Sequence, residues 1–171
     1  MHDGPRARQM PAPLYTPAER ARRDASVWTL VQGILAPLQF LVFAVSLILV
    51  LRYLATGAGY EAATVSILLK TALLYTIMVT GAIWEKVVFG RYLFAPAFFW
   101  EDVVSFGVIA LHTLYLYALF AANWGAKAEM AIALAAYAIY VVNATQFLLK
   151  LRRARLDAPA GGVAPADEVP A

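Results

Sequence analysis

Three carboxylates lie close together in a short stretch of an otherwise apolar chain. Glu85, Glu101 and Asp102 fall within residues 84–102, together with Lys86, Arg91 and seven aromatic rings. An ionisable group at the middle of a membrane-spanning helix costs about 2.5–3.5 kcal/mol, so such groups mark functional sites by default. Carboxyl groups are also the side chains of acid–base catalysis. The stretch therefore predicts a site, and interfacial salt bridges to the two cations are the alternative.

A single histidine lies deep in the apolar run that follows this stretch. His112 comes eleven residues after Glu101, about three turns further along the same helical face. A histidine at this depth is not needed for topology or membrane anchoring. We therefore expect a functional role for His112, with a hydrogen bond between helices as the alternative.

The composition is that of a membrane protein. Of 171 residues, 62% are hydrophobic and 15% charged, whereas soluble domains carry about 25% charged residues. The chain has no cysteine and two histidines, which excludes disulfides and thiolate metal sites, and a bis-histidine haem unless two chains share one. The net charge of +3 needs no nucleic-acid partner, because basic groups at membrane flanks are explained by anionic lipids.

Four long apolar blocks predict an all-α integral membrane protein with four transmembrane helices. We predict disordered termini at 1–15 and 157–171, and between them one membrane domain, 16–156, with helices at about 27–51, 62–83, 103–122 and 128–149. Thr16-Pro17-Ala18-Glu19 is typical of a capping box and predicts a short N-terminal surface helix.

The distribution of Lys and Arg predicts the orientation. Eleven of these residues lie in the N-terminal segment, residues 84–102 and the C-terminal flank, against Arg52 and Lys127 in the other two loops. Because basic residues stay on the cytoplasmic side, we expect both termini and residues 84–102 there, with the polar groups concentrated in that half. Lys70 falls within the second helix near its outer end, where it should snorkel to the interface.

Polar residues recur at helical spacing and predict inward-facing stripes. The stripes are Gln32, Gln39 and Ser46; Glu101, Ser105, His112 and Tyr115; Tyr140, Asn143, Gln146 and Lys150. In lipid each polar group needs a partner, so the stripes should face one another. Hydrogen bonding between helices is an alternative to a binding role for the Gln and Asn residues. An interfacial belt is likewise the alternative for aromatic residues such as Trp100.

Several segments resemble a known family. They are 28–33 (WTLVQG), 36–40 (APLQF), 80–86 (TGAIWEK), 89–96 (FGRYLFAP), 98–102 (FFWED) and 143–150 (NATQFLLK). They are similar to the 3-vinyl bacteriochlorophyllide hydratase family, also called 2-vinyl bacteriochlorophyllide hydratase, over roughly residues 14–156. The resemblance implies an inner-membrane enzyme of phototrophic bacteria that adds water to the 3-vinyl group of a chlorophyllide-type tetrapyrrole. The product carries a 3-(1-hydroxyethyl) group.

Hydration implies a proton donor and a group that takes a proton from water. A carboxyl group in an apolar pocket keeps its proton near neutral pH, and we expect Glu101 or Glu85 as donor, with the other, or His112, as base. Adjacent Glu101 and Asp102 point about 100° apart on a helix, so at most one should face the site. His112 could instead ligate the magnesium of the substrate.

The remaining polar and aromatic candidates would bind the macrocycle. We expect Gln32, Gln39, Asn143 and Gln146 at its carbonyl groups, Arg91 or Lys86 at the propionate, and Trp84 and Trp100 among the aromatic walls. No resident metal or redox cofactor is expected, because hydration transfers no electrons. The other expected partners are membrane lipid, further copies of the chain and other pigment-synthesis enzymes.

A different class of function stays open at this point. A membrane scaffold or tetrapyrrole carrier would use similar carboxylates and aromatic rings. A proton-coupled transporter is disfavoured because the polar groups are expected to crowd one leaflet. Residues 88–100 could be re-entrant or lie flat at the surface.

Overall fold

The computed structural model describes residues 14–156, and every regular element in that range is helical. The α-helices are α1 (Pro17–Ala25), α2 (Val27–Thr56), α3 (Tyr60–Phe89), α4 (Phe99–Tyr117) and α5 (Ala126–Leu156). A π-helical segment, Ala118–Ala122, extends α4. Helices α2, α3, extended α4 and α5 are long and apolar enough to cross a membrane. The prediction of an all-α chain with four helices of membrane-spanning length is therefore confirmed.

The helices extend beyond the predicted bounds 27–51, 62–83, 103–122 and 128–149. Helix α2 continues through Arg52 to Thr56, α3 through Glu85 to Phe89, and α5 ends at Leu156. The predicted bounds follow the runs of apolar residues, whereas helical backbone hydrogen bonding continues past each run until a residue ends it. Gly57 and Gly90 do so after α2 and α3, with φ of +73° and +82° in the left-handed region that favours glycine.

The predicted capping box is present at the start of α1. The Thr16 amide donates to Glu19 Oε2 (2.8 Å), and the Glu19 amide donates to Thr16 Oγ1 (3.3 Å). Tyr15 is buried against Phe89 and Phe98, so the prediction of disorder was wrong at this residue. Residues 1–13 and 157–171, also predicted to be disordered, lie outside the described residues.

The four long helices form two hairpins. The turn 57–59 joins α2 to α3, and 123–125 joins extended α4 to α5. Contacts within each hairpin exceed those between the hairpins. Aromatic and aliphatic side chains from all four helices nevertheless form one core, which includes Phe43, Leu74, Val108 and Tyr137. The 90–98 connection links the hairpins at the end of the bundle where α1 packs against α3.

Candidate active site

Two of the predicted carboxylates hold the 90–98 connection in place. The Ala95 amide donates to Glu85 Oε2 (3.1 Å), and the Phe94 amide donates to Asp102 Oδ2 (2.7 Å). Phe94 has a φ of +58°, a left-handed conformation that costs a non-glycine residue of order 1–3 kcal/mol. The connection is therefore a strained turn fastened to the ends of α3 and α4. This anchoring is a structural role for both carboxyl groups.

Glu85 and Asp102 also form a carboxyl pair. They accept hydrogen bonds from the consecutive amides of Phe94 and Ala95, which places their side chains next to each other, and the two residues are only 5% and 4% exposed. Among the described residues, neither forms a salt bridge with a cation. A hydrogen bond between two carboxyl groups needs a proton on one of them. The pair is thus suited to holding a single proton in an apolar setting.

Glu101 has a different environment from this pair. Its Oε2 lies 2.5 Å from Lys150 Nζ, and the same ammonium donates to the Ala97 carbonyl and lies 4.9 Å from the centre of the Phe98 ring. In the sequence, Lys150 counts among the cations of the C-terminal flank and shares a predicted face with Asn143 and Gln146. In this ion pair Glu101 Oε2 accepts a hydrogen bond from Lys150 and ties the start of α4 to α5.

Glu101 and Asp102 are both buried, but they point to different sides of α4. Asp102 contacts α3 and the 90–98 connection, whereas Glu101 contacts α5. The start of α4 is covered on two sides, so two side chains about 100° apart can both point into protein.

Aromatic rings form two groups around the carboxylates. A buried group, which includes Tyr15, Phe89 and Phe98, packs behind the connection. Trp84 joins this group through ring contacts, and its Nε1 donates to Thr29 Oγ1 (2.9 Å). This hydrogen bond and these contacts place Trp84 in a packing position.

An exposed group, here called the aromatic wall, consists of Phe94, Phe99, Trp100 and Phe106. The Phe94 and Phe106 rings stack at 5.6 Å, and Phe99 contacts both Phe94 and Trp100. Trp100 is 66% exposed. Phe99, Asp102 and Phe106 recur at i, i+3 and i+7, so Asp102 lies on the same face of α4 as two rings of the wall.

The other predicted substrate-binding residues are spread over the bundle. Gln32 Nε2 donates to Thr80 Oγ1 (2.8 Å), and Asn143 Nδ2 donates to Ser105 Oγ (2.8 Å). Lys86 Nζ donates to the Gly90 carbonyl (2.9 Å), and Arg91 is exposed beside it. The polar atoms of Gln39 and the Gln146 Oε1 atom bond to no described protein group. Of these residues, Lys86 hydrogen-bonds to the connection and Arg91 belongs to it.

His112 lies away from the carboxyl cluster. It is 1% exposed, and its Nδ1 lies 2.8 Å from the Val108 carbonyl oxygen. Eleven residues of helix separate it from Glu101, about 16 Å along the axis. A base at His112 and an acid at the start of α4 cannot both reach one vinyl group directly.

The expectation that Lys70 snorkels was wrong. Lys70 is fully buried in the middle of the bundle, and its Nζ lies 3.6 Å from the centre of the Tyr140 ring and 5.8 Å from that of Phe43. It lies eleven residues after the turn 57–59, but its side chain faces α5 instead of lipid. The sequence predicts that the polar groups are concentrated in one half of the bundle. The buried Lys70 shows that they also occur outside that half.

Comparisons with known proteins agree on one family. The family model described as 2-vinyl bacteriochlorophyllide hydratase matches residues 15–153. A protein of that name from Rhodobacter capsulatus is 76% identical over 145 residues, covering 85% of this chain and 84% of the relative. One from Cereibacter sphaeroides is 78% identical over 144 residues, covering 84% and 89%. No solved structure matches the chain.

Proposed function

Because this chain belongs to the 2-vinyl bacteriochlorophyllide hydratase family, we propose that it is a membrane hydro-lyase of bacteriochlorophyll biosynthesis. It adds water to the vinyl group of a bacteriochlorophyllide-type tetrapyrrole. The vinyl group is the one numbered 3 or 2 in different nomenclatures, and the product is the 1-hydroxyethyl derivative. A proton goes to the terminal vinyl carbon, and water adds to the carbon next to the ring, where the macrocycle delocalises positive charge.

The observation that carries our site assignment is the buried carboxyl pair. Glu85 and Asp102 form no salt bridge among the described residues, and we propose that they share one proton, which they donate to the alkene. The remaining negative charge stabilises the cation that forms beside the macrocycle. As water attacks, its proton returns to the pair, which restores the starting state. One carboxyl pair can therefore serve as both acid and base.

This assignment favours Glu85 and Asp102 over Glu101 and His112. Glu101 accepts a hydrogen bond from the Lys150 ammonium, so this carboxyl group is already engaged by α5. His112 lies about 16 Å deeper on α4. We propose that Glu101 positions the start of α4 through Lys150, and that His112 has a role in the bundle interior.

The aromatic wall supplies a surface for the flat macrocycle. Its rings are exposed where lipid would cover them and lie on the face of α4 that holds Asp102. A tetrapyrrole in the membrane can stack there without passing through the bundle. The strain at Phe94 lowers the cost of moving the 90–98 connection aside so that the vinyl group reaches the carboxyl pair. Arg91, with Lys86, is placed for the propionate.

The orientation we propose follows the positive-inside rule. Most of the cations lie in three segments at one end of the bundle: α1, the 90–98 connection and the C-terminus of α5. That end would lie on the cytoplasmic side of the inner membrane. Helix α1 would rest at the membrane surface there. We further propose that the chain needs no redox cofactor, and that lipid, further copies of the chain and other pigment-synthesis enzymes are its partners.

The experiment is turnover by the full chain in lipid bilayers. With chlorophyllide a as substrate, we expect a mass gain of one water molecule and a blue-shifted red absorption band. Glu85→Gln keeps an acceptor for the Ala95 amide but cannot donate the proton, so kcat should fall about 10²–10⁴-fold. Asp102→Asn should behave similarly. Thr145→Val, a change on the exposed side of α5, serves as the control.

Two results would contradict the proposal. Turnover by Glu85→Gln and Asp102→Asn at the rate of the parent would remove the carboxyl pair from the chemistry. Binding of the pigment without any mass gain would favour a tetrapyrrole carrier. In that case a deletion strain should lose pigment complexes without accumulating 3-vinyl pigments.

A further inference from the structure

Buried polar atoms without a protein partner occur along the interior of the bundle. No described residue hydrogen-bonds to either side-chain polar atom of Gln39, to Lys70 Nζ, to His112 Nε2, or to the carbonyl oxygens of Asn143 and Gln146. Gln39, Lys70, His112 and Asn143 are 2%, 0%, 1% and 7% exposed. A buried polar group left unsatisfied costs about 1–3 kcal/mol. These groups, here called the interior row, therefore need a partner that the described protein does not supply.

The interior row extends from the middle of the bundle to its carboxylate-bearing end. Along α5, Tyr140, Asn143, Gln146 and Lys150 follow one another at intervals of three or four residues, which places them about one helical turn apart on one face. At the deep end, Lys70 lies over the ring of Tyr140. At the other end, Lys150 forms the ion pair at the start of α4. The row thus ends at the Glu101–Lys150 ion pair, and Glu101 is adjacent in sequence to Asp102 of the proposed catalytic pair.

The chemistry of the row identifies its partner as water. His112 Nδ1 faces a carbonyl oxygen, which can only accept, so the ring proton sits on Nδ1 and Nε2 is an acceptor. Lys70 in its charged form offers only donors, and Gln39 offers both kinds. An anion would suit Lys70 but would face the lone pairs of His112 and Gln39. A water molecule both donates and accepts, so it can serve all of these groups, and buried waters typically bond to two to four polar partners.

We propose that the interior row is a column of bound water that supplies the co-substrate of the hydration. This inference rests on the proposed function. A macrocycle stacked on the aromatic wall would shield the vinyl group on the lipid side, where water is absent. Each turnover consumes one water molecule, which must then come through protein. The interior row is a polar route that leads to the start of α4 from within the bundle.

The first test detects the water itself, independently of turnover. The chain has two histidines, so His2→Asn protein labelled with ¹⁵N-histidine gives one imidazole, that of His112. In lipid bilayers, water-edited solid-state NMR should show magnetisation transfer from water to Nε2, with Nδ1 protonated. Lys70→Met should weaken that transfer several-fold, and Lys127→Met, at an exposed lysine, should not. Absence of transfer to His112 in the parent protein would overturn the proposal.

The second test concerns supply. Gln39→Leu removes both polar atoms at one level of the row, and we expect kcat to fall about tenfold with KM for the pigment unchanged. Thr145→Val should leave both constants as in the parent. Parental turnover by folded Gln39→Leu protein would overturn the supply role. If the NMR signal is present and the parent shows no turnover, the water site stands and the supply role fails together with the hydratase assignment.

Discussion

The ion pair between Glu101 and Lys150 gives the sharpest test of the energetics at the site. Lys150→Met removes the ammonium that contacts both Glu101 Oε2 and the Ala97 carbonyl. The carboxylate left behind is 7% exposed and the lysine side chain 21%. Breaking a buried pair from one side costs about 3–5 kcal/mol. Because water reaches the lysine side of this pair, we expect the lower end of that range.

The partner substitution should cost less. Glu101→Gln leaves an ammonium that retains the Ala97 carbonyl and is partly exposed, so we expect a loss of about 1–2 kcal/mol. In the double variant no unpaired charge remains. The sum of the single losses should therefore exceed the loss in the double variant by about 2 kcal/mol, within the range measured for residues in direct contact.

The assay is reversible unfolding of the purified chain in mixed micelles, followed by circular dichroism, for the four members of this cycle. Lys127→Met, at an exposed lysine, controls for the loss of one positive charge. Additive losses would show that the two side chains do not interact energetically. The interpretation of Glu101 as a charged positioning residue would then fail.

Three further predictions concern the aromatic wall and the N-terminal cap. Trp100→Ala should raise KM for the pigment several-fold while changing the free energy of unfolding by less than about 0.5 kcal/mol, because the ring is exposed. Phe120→Ala, at a ring exposed at the opposite end of the bundle, should change neither quantity. Equal increases in KM for the two variants would contradict pigment binding at the aromatic wall. Phe94→Gly should relieve the left-handed strain. The free energy of unfolding should therefore fall by much less than the 3–5 kcal/mol typical of Phe→Ala in a core, whereas KM for the pigment should rise because a ring of the wall is lost. The pKa of Glu19 is lowered by hydrogen bonds from Thr16, of which the one from the backbone amide has the largest effect and the one from the side chain the next largest. The stabilisation that this cap provides is therefore complete above the ordinary pKa of the carboxyl group. It is lost as pH falls through the lowered pKa. Unfolding midpoints measured across that acid range should show a small drop that Glu19→Gln abolishes; an unchanged pH profile in Glu19→Gln would contradict it.

The helical architecture was predictable because it depends on local properties of the chain. Four apolar runs are enough to predict four spans, and the cap at Thr16 has a recognisable spacing. The seven-residue recurrence of Gln39 and Ser46 correctly indicates a buried face. The ends of the helices were less predictable, since the backbone of α3 stays helical through Glu85, beyond the apolar run.

The pairing of charged groups was not predictable, because it depends on which helices are neighbours. Periodicity places Glu101 and Asp102 on different faces but does not show that α5 and α3 cover both. It likewise assigns Lys70 to a span without showing that Tyr140 lies opposite. Lys150 has the spacing of its stripe as a signal, yet only the fold shows that its partner is Glu101.

The burial of Lys70 bears on how the chain enters the bilayer during synthesis. A lysine at the centre of a lone transmembrane segment opposes insertion by about 2.5–3.5 kcal/mol. The turn between α2 and α3 has only three residues, so the translocation machinery meets the two segments almost together. The strongly apolar α2 can then carry α3 into the membrane as a pair, and the lysine reaches its aromatic neighbour once the second pair has arrived.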